Sequence, residues 1–432
     1  MKFPLGRYGC LDSAIAWHGG ASISVAEFLG SAEHLASRLP AAPYVFNLCV
    51  DRYHFLLGFA AALMRGQVSL LPPGRNDHFL RQIHARHQPA YCLVDQPCET
   101  AGLEVIEVGY VPARRSVTMP RFSGDKPAII AFTSGSTGDP APHVKTFESL
   151  VVTAVATAER FNFSPGQNIA GTIPPQHMYG LETTIMLPLQ TGGALHSGHP
   201  LTPADIDAAL KEIPAPRWLA TTPFHIKACL DDDAHLSPLT GVICATMPLA
   251  SELGRLIEAR YAAPLFEIYG CTEAGTVATR RPGEAFTTCA RTRIAQAGED
   301  VWLLGGKLPH PIKLPDRIEV LSETEFAFLG RTGDMVKIAG KRASLAALNS
   351  ELNRIPGVRD GVFYFPEGAQ RLIAFAVAPG MTSRALIGHL RTRIDSAFLP
   401  RPLLILDSLP RNSTGKLPRE DLVRLATAAA AD

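Results

Sequence analysis

TSGSTGDP, Thr133 to Pro140, follows directly on the apolar run AIIAF of Ala128 to Phe132, and this junction governs the reading of the whole chain. A short apolar run bounded by turn residues reads as a buried strand. The small residues after it let backbone N–H groups turn toward an anion, and the Ser and Thr hydroxyls add donors, so the loop reads as a phosphate cradle. No G-K-[ST] closes it, which excludes the P-loop pattern. Helical spacing from Glu148 to Arg160 then completes an order of strand, loop and helix. Taken alone, such a run is also what a flexible surface loop looks like.

The same order recurs outward from this point. Gly241 to Ala245 reads as a strand, SELGRLIEAR at 251–260 as a helix, and Leu265 to Tyr269 as a further strand. Alternation of this kind over most of the length predicts an α/β protein. At 432 residues the chain exceeds what one hydrophobic core organises, so at least two domains are expected. A proline-rich run of short strand-like pieces at 306–330 marks the edge between them. The boundaries are 1–330 for a large N-terminal domain and 331–432 for a compact α+β C-terminal one. In the latter the expected order is strand 336–339, helix 344–354, strands 361–365 and 372–378, helix 382–394, strand 403–406 and a terminal helix.

Composition removes several function classes. The 41 Lys and Arg against 40 Asp and Glu leave no net bias toward nucleic acid or an anionic membrane. From Arg331 onward, however, 15 basic residues face 9 acidic ones, so the C-terminal domain is basic and the remainder mildly acidic. Eight scattered cysteines without a C-x-x-C pair read as reduced core thiols. No apolar stretch approaches the roughly 18 residues that span a bilayer, so a cytoplasmic protein is expected.

Four segments, taken in order, resemble the adenylate-forming superfamily of acyl-CoA synthetases, luciferases and peptide-synthetase adenylation domains: TSGSTGDP; EIYGCTEAG, Glu267 to Gly275; LGRTGDMVKIAGKR, 329–342; and LPRNSTGK, Leu409 to Lys416. The resemblance implies an α/β fold in which the N-terminal domain has several αβ-layered subdomains and the small C-terminal domain is a mobile lid. It implies ATP as substrate, Mg²⁺ as cofactor, and activation of a carboxylic acid as an acyl-adenylate followed by transfer to a thiol. Thr133, Ser134, Gly135, Ser136, Thr137 and Gly138 then form the phosphate loop. Tyr269 and Gly270 border the adenine, Thr272 bonds the α-phosphate, and Glu273 ligates Mg²⁺, a hard cation that suits a carboxylate. Ala245, Thr246, Met247 and Pro248 align with the family's Gly-Gly-Ala-Pro turn, with bulkier residues where the glycines stand. Asp316, 15 positions before Arg331, holds the ribose hydroxyls, although the usual T-G-D is missing around it. The T-G-D at 332–334 belongs to the hinge, where Gly333 replaces the relatives' Asp or Lys. Lys416 bridges the substrate carboxylate and the α-phosphate, offsetting the repulsion of two anions.

Two departures stand out. The phosphate loop of relatives ends T-G-x-P-K, whereas TGDPAPHVK displaces the lysine to Lys145 or passes its role to His143. The interval from Glu273 to Asp316 is short, implying a trimmed β-rich subdomain. PPQHMYGLE, Pro174 to Glu182, corresponds to the acyl-pocket segment, with His177, Tyr179 and Gly180 as substrate contacts alongside Met247. Its rings suit a flat aromatic acid, while His177 is equally readable as a core histidine. TSGSTG-x-P-x-P-H-x-K, IAGKRASL and the compact size look like the ligases that load a hydroxybenzoate onto an acyl carrier protein in aryl-polyene or xanthomonadin pigment synthesis. An aryl- or acyl-CoA ligase is the alternative. A catalytically inactive nucleotide-binding regulator and a stand-alone amino-acid adenylation domain are the remaining readings; the latter lacks an evident acidic partner for an α-ammonium group. The acceptor is a phosphopantetheine thiol, on an acyl carrier protein or CoA, met by basic residues such as Lys341, Arg342, Arg391, Arg393 and Arg401.

Overall fold

A computed structural model describes residues 1–110, 116–134, 139–298, 300–338, 340–366, 369–412 and 415–431, without the side chains at 134, 331, 332 and 429–431. The cradle positions Gly135, Ser136, Thr137 and Gly138, together with the side chains of Ser134 and Arg331, therefore lie outside the described residues.

Two sheets organise the larger part. The first has six strands in the order Pro140–Thr146, Pro127–Ser134, Val68–Leu71, Tyr44–Asn47, Ala90–Val94 and Val105–Glu107, parallel except for the first pair. The second has eleven; its centre runs Leu265–Cys271, Gly241–Cys244, Arg217–Thr221, Asn168–Gly171, Ala194–His196 and Ala14–His18, all parallel. Helices Val25–Arg38, Arg52–Met64 and Phe147–Phe161 and the segment 178–191 contribute with both sheets to one hydrophobic core. Arg52–Met64 is apolar nearly all round and accordingly buries almost every residue.

The expected order of strand, loop and helix at the cradle needs correction. After Pro127–Ser134 the chain first returns as the antiparallel strand Pro140–Thr146, pairing His143 with Ala131 and Lys145 with Ile129, and only then enters the helix Phe147–Phe161. PAPHVKT alternates in the period of a strand, and two of its residues are prolines, which lack a ladder donor and confine it to the sheet edge it occupies. The strands on either side of the expected cradle are therefore antiparallel partners, and the element after it is a strand and not a helix.

From Met335 onward the expected elements are present: Leu345–Asn353, Asp360–Tyr364, Ile373–Val377, Ser383–Arg391, Leu403–Ile405 and Arg419–Ala431. Alternation decides which face each strand residue covers. Phe363, Ala374 and Ala376 pack with Leu348, Leu352, Leu386 and Leu390, while Val362, Tyr364, Phe375 and Val377 pack with Leu422, Leu425 and Ala426 of the terminal helix. All eight cysteines are free, five of them buried. Among the described residues no helix is long and apolar enough to cross a membrane.

Candidate active site

The carboxyl ends of the parallel strands in the large sheet converge with the lysine loop of the C-terminal domain, and such strand ends are where open α/β sheets place their ligands. Thr172 and Thr221 border the end of two neighbouring strands, with Thr222 following, and His225 lies between them. Its Nδ1 is 2.8 Å from Thr222 Oγ1 and 3.2 Å from Thr172 Oγ1. His199 Nε2 donates to Thr172 O at 3.0 Å, which leaves Nδ1 as the unprotonated nitrogen. Burial lowers both histidines to a pKa of about 4, so both are neutral at pH 7.

His177 caps the short helix Met178–Gly180, its Nδ1 accepting from Tyr179 N at 3.3 Å. Burial, reinforced by the charge of Lys416, pushes its pKa down to about 3. The ring is thus neutral with its proton on Nε2. Tyr179 departs from the expectation of a pocket floor: its hydroxyl lies 2.9 Å from Thr221 O and 2.8 Å from Ile243 O, tying the segment to two strand ends. Gly180 sits so close to the Pro174 carbonyl that a Cβ would fall 2.1 Å from the oxygen. Only glycine lets this loop fold over the strand ends.

At the turn aligned with Gly-Gly-Ala-Pro, Ala245 is buried and Thr246 has φ +81°. A β-branched residue thus takes a left-handed backbone where the aligned motif has glycine, a conformation that costs on the order of 1–3 kcal/mol. Met247 follows beside the lysine loop, its Cε 3.5 Å from where a Cβ on Gly415 would lie.

The hairpin brings Thr133 to the same place. Its Oγ1 is 3.0 Å from His143 Nε2, which in turn stands 3.8 Å from Glu273 Oε1. Lys145 lies deeper on the same face of the strand. It is buried and donates to the main-chain oxygen of Glu273, and burial lowers its pKa to about 8. Between the two residues that sequence left open, His143 reaches the Glu273 carboxylate and Lys145 supports the backbone beneath it. Thr272 and the exposed Glu273 follow the strand Leu265–Cys271, where a bulge between Tyr269 and Gly270 redirects the chain.

Tyr269 and Asp316 meet directly, the phenol donating to Asp316 Oδ2 at 2.6 Å. The Tyr269 ring packs against Phe286, Phe326 and Phe328. Asp316 and Arg331 are opposite partners in an antiparallel pair, so their 15-residue spacing is a hairpin register. Beneath this site Glu182 is fully enclosed, accepting from Thr276 N at 2.8 Å and Oγ1 at 2.6 Å with Lys307 3.9 Å away.

Lys416 is presented by a closed loop: Asn412 N donates to Lys416 O at 2.8 Å and Lys416 N to Asn412 Oδ1 at 3.0 Å. Sequence reasoning missed Thr222, Phe224 and His225, which no motif marks, and Arg411, which stands inside LPRNSTGK and was legible as a fixed cation near the lysine.

A family model described as AMP-binding enzyme matches residues 78–298, just over half of the chain. The 4-coumarate–CoA ligase of Rhodobacter capsulatus is 28% identical over 66% of this chain and 73% of its own length. Two solved structures share the fold at 17% identity and a TM-score of 0.80. One is the anthranilate CoA ligase AuaEII in complex with anthranoyl-AMP, covering 100% of this chain and 99% of that one. The other is the o-succinylbenzoate CoA synthetase of Bacillus subtilis in complex with ATP and a magnesium ion, covering 98% and 100%. With Tyr269, Thr272 and Glu273 inside the matched region and the fold shared from end to end, the chain belongs to the AMP-binding enzyme family.

Proposed function

We propose that this enzyme couples ATP to a small carboxylic acid, forming an acyl-adenylate and pyrophosphate, and then transfers the acyl group to a phosphopantetheine thiol with release of AMP. The observation that carries the reading is the seating of the lysine loop on the strand ends, where a Cβ on Gly415 would lie 3.2 Å from Phe224 Cβ, 3.4 Å from Thr222 Oγ1 and 3.5 Å from Met247 Cε, together with the Tyr269–Asp316 and His143–Glu273 pairs at the strand Leu265–Cys271 and just beyond it. In the first step a carboxylate oxygen attacks the α-phosphorus as the bond to the bridging oxygen breaks, chemistry governed by positioning and charge. Lys416 neutralises the two approaching anions, and His177, neutral and protonated on Nε2, presents a donor beside them without adding charge. Asp316 accepts from the ribose hydroxyls, its orientation held by Tyr269. Thr133 and Thr272 donate to phosphate oxygens.

The donor set fits magnesium. Glu273 offers an exposed carboxylate, 3.8 Å from His143 Nε2 and next to Thr272. An ion held by one carboxylate plus phosphates and water is the usual arrangement for this cation, which supplies charge neutralisation at the triphosphate.

The acid we propose is aromatic, a hydroxybenzoate being representative; the rings of His177, His225 and Phe224 and the relatives named for aromatic acids support this. The acceptor we propose is an acyl carrier protein, reached after the 331–432 domain rotates about the segment 330–334. CoA is the second reading, favoured by relatives that are themselves CoA ligases. The test is carboxylate-dependent exchange of labelled pyrophosphate into ATP across benzoates, fatty acids and amino acids, then CoA against holo-carrier protein. Lys416→Ala should lower exchange by about 10²–10³-fold, the range for loss of one charge-stabilising group. No exchange with any acid favours the inactive-regulator reading; exchange that survives Lys416→Ala removes the lysine from its role.

A further inference from the structure

We infer that Arg411 is the positioning residue that docks the lysine loop onto the large domain, so that it serves adenylate formation and not thiol transfer. The inference rests on the proposed two-step reaction. Arg411 Nε and Nη2 each lie 2.6 Å from a separate oxygen of Asp360, a fork-on-fork pair with side chains only 13% and 11% exposed. That geometry fixes the guanidinium plane relative to the strand Asp360–Tyr364, and only arginine provides it.

The remaining nitrogen faces the other way. Nη1 donates to Gly415 O at 2.7 Å, one residue before Lys416, and lies 3.8 Å from Met247 Sδ. The guanidinium carbon is 5.6 Å from the centroid of the Phe224 ring, within cation–π range. Met247 and Phe224 belong to the large domain, so one side chain joins the C-terminal sheet, the lysine loop and the acyl side of the site.

Gly415 makes the docking close. At φ +76° its missing Cβ would lie 3.2 Å from Phe224 Cβ and 3.4 Å from Thr222 Oγ1, so the backbone rests directly on the residues Arg411 touches. A lysine on a long stem reaches the reacting groups reproducibly only if its Cα is held, and misplacement by about 1 Å costs on the order of 10²-fold in rate. Rotation of the C-terminal domain removes Met247 and Phe224 from Arg411 while leaving Asp360 in place.

The test measures the two half-reactions separately in the full chain. Arg411→Ala should lower kcat of carboxylate-dependent pyrophosphate exchange by about 10²-fold, with KM for ATP and acid changed less than about threefold. Thiolysis of supplied acyl-adenylate should stay within about threefold of wild type. Arg411→Lys, which keeps the charge but not the fork, should recover only part of the loss. Gly415→Ala should reproduce the exchange defect, and the double variant should be no worse than the more severe single one, because both act on one docking. Equal losses in both half-reactions, full recovery by lysine, or additive losses overturn the inference. If Arg411→Ala does not fold, Arg411→Lys and Gly415→Ala carry the same comparison. Wild-type protein without exchange would refute the proposed function itself, whereas exchange indifferent to Arg411 refutes only its positioning role.

Discussion

Replacing His177 by Asn should invert the order of stability between variant and parent as pH falls. In the folded chain the imidazole titrates near 3, against 6.5 when unexposed to this environment, because burial and then Lys416 disfavour the cation. Between these values the unfolded chain binds a proton that the folded chain refuses, so stability is lost as pH falls below about 6.5. At pH 5 the gap of 1.5 between 6.5 and 5 corresponds to about 2 kcal/mol, at 1.36 kcal/mol per unit. At pH 7.5 it is negligible. Asn retains an N-cap acceptor for Tyr179 N but leaves part of the ring volume empty, costing about 1 kcal/mol at all pH values. The variant should therefore be about 1 kcal/mol less stable at pH 7.5 and about 1 kcal/mol more stable at pH 5. His199 and His225 add acid lability of similar sign, but they are common to both proteins and cancel in the difference. Urea unfolding of both at pH 7.5, 6.5, 5.5 and 5 measures it. A difference independent of pH would show that His177 titrates alike in the folded and unfolded chains and would refute the lowering of its pKa by burial and Lys416.

Tyr269→Phe removes the phenol that holds Asp316, and loss of a bond to a charged group is worth about 1.5–3 kcal/mol; KM for ATP in the exchange assay should rise at least tenfold, and an unchanged KM argues that Asp316 needs no such support. Thr246→Gly relieves the φ +81° strain of about 1–3 kcal/mol at an entropic cost of about 0.5–1 kcal/mol, so a higher urea midpoint is expected and a lower one would contradict the strain. His143→Ala should raise KM for ATP more than Lys145→Met does, because the histidine faces the Glu273 carboxylate and the lysine its backbone; the reverse ranking would assign the phosphates to Lys145.

The sequence made legible whatever is written in local pattern. The C-terminal elements follow from alternation and helical spacing, and the site residues from short motifs whose chemistry is explicit. What escaped it depends on distance in sequence. The strand Pro140–Thr146 was hidden by two prolines, a signal against a strand everywhere except at an edge. The docking of Arg411 on Met247 joins residues 164 apart, and no periodicity encodes such a meeting. The different reach of His143 and Lys145 follows from strand register, which sets both on one face at different depths. Thr246 is the reverse case: a β-branched residue stands where the aligned motif has glycine, yet its backbone takes the left-handed conformation that favours glycine.

These polar groups also divide the site by rigidity. Glu182, with its two bonds to Thr276 and Lys307 beside it, joins the helical segment over the strand ends to the strand after Glu273 in a fully enclosed network. Breaking a buried pair of this kind costs several kcal/mol, so the ATP side of the site has one arrangement. The lysine side is held differently, by a largely buried fork on Asp360, one thioether, one ring and close packing at a glycine. The members of that set that cross to the large domain are weak, each worth about 1 kcal/mol or less, and Arg354–Glu252 is an exposed pair of similar value, while Lys227 Nζ donates across the same boundary to Val358 O at 3.1 Å and Arg359 O at 3.0 Å. In the proposed two-step reaction, a lid that delivers Lys416 for one step and withdraws it for the next would use this asymmetry. Strong bonds keep the loop in shape within its own domain, and weak ones hold the loop itself against the large domain.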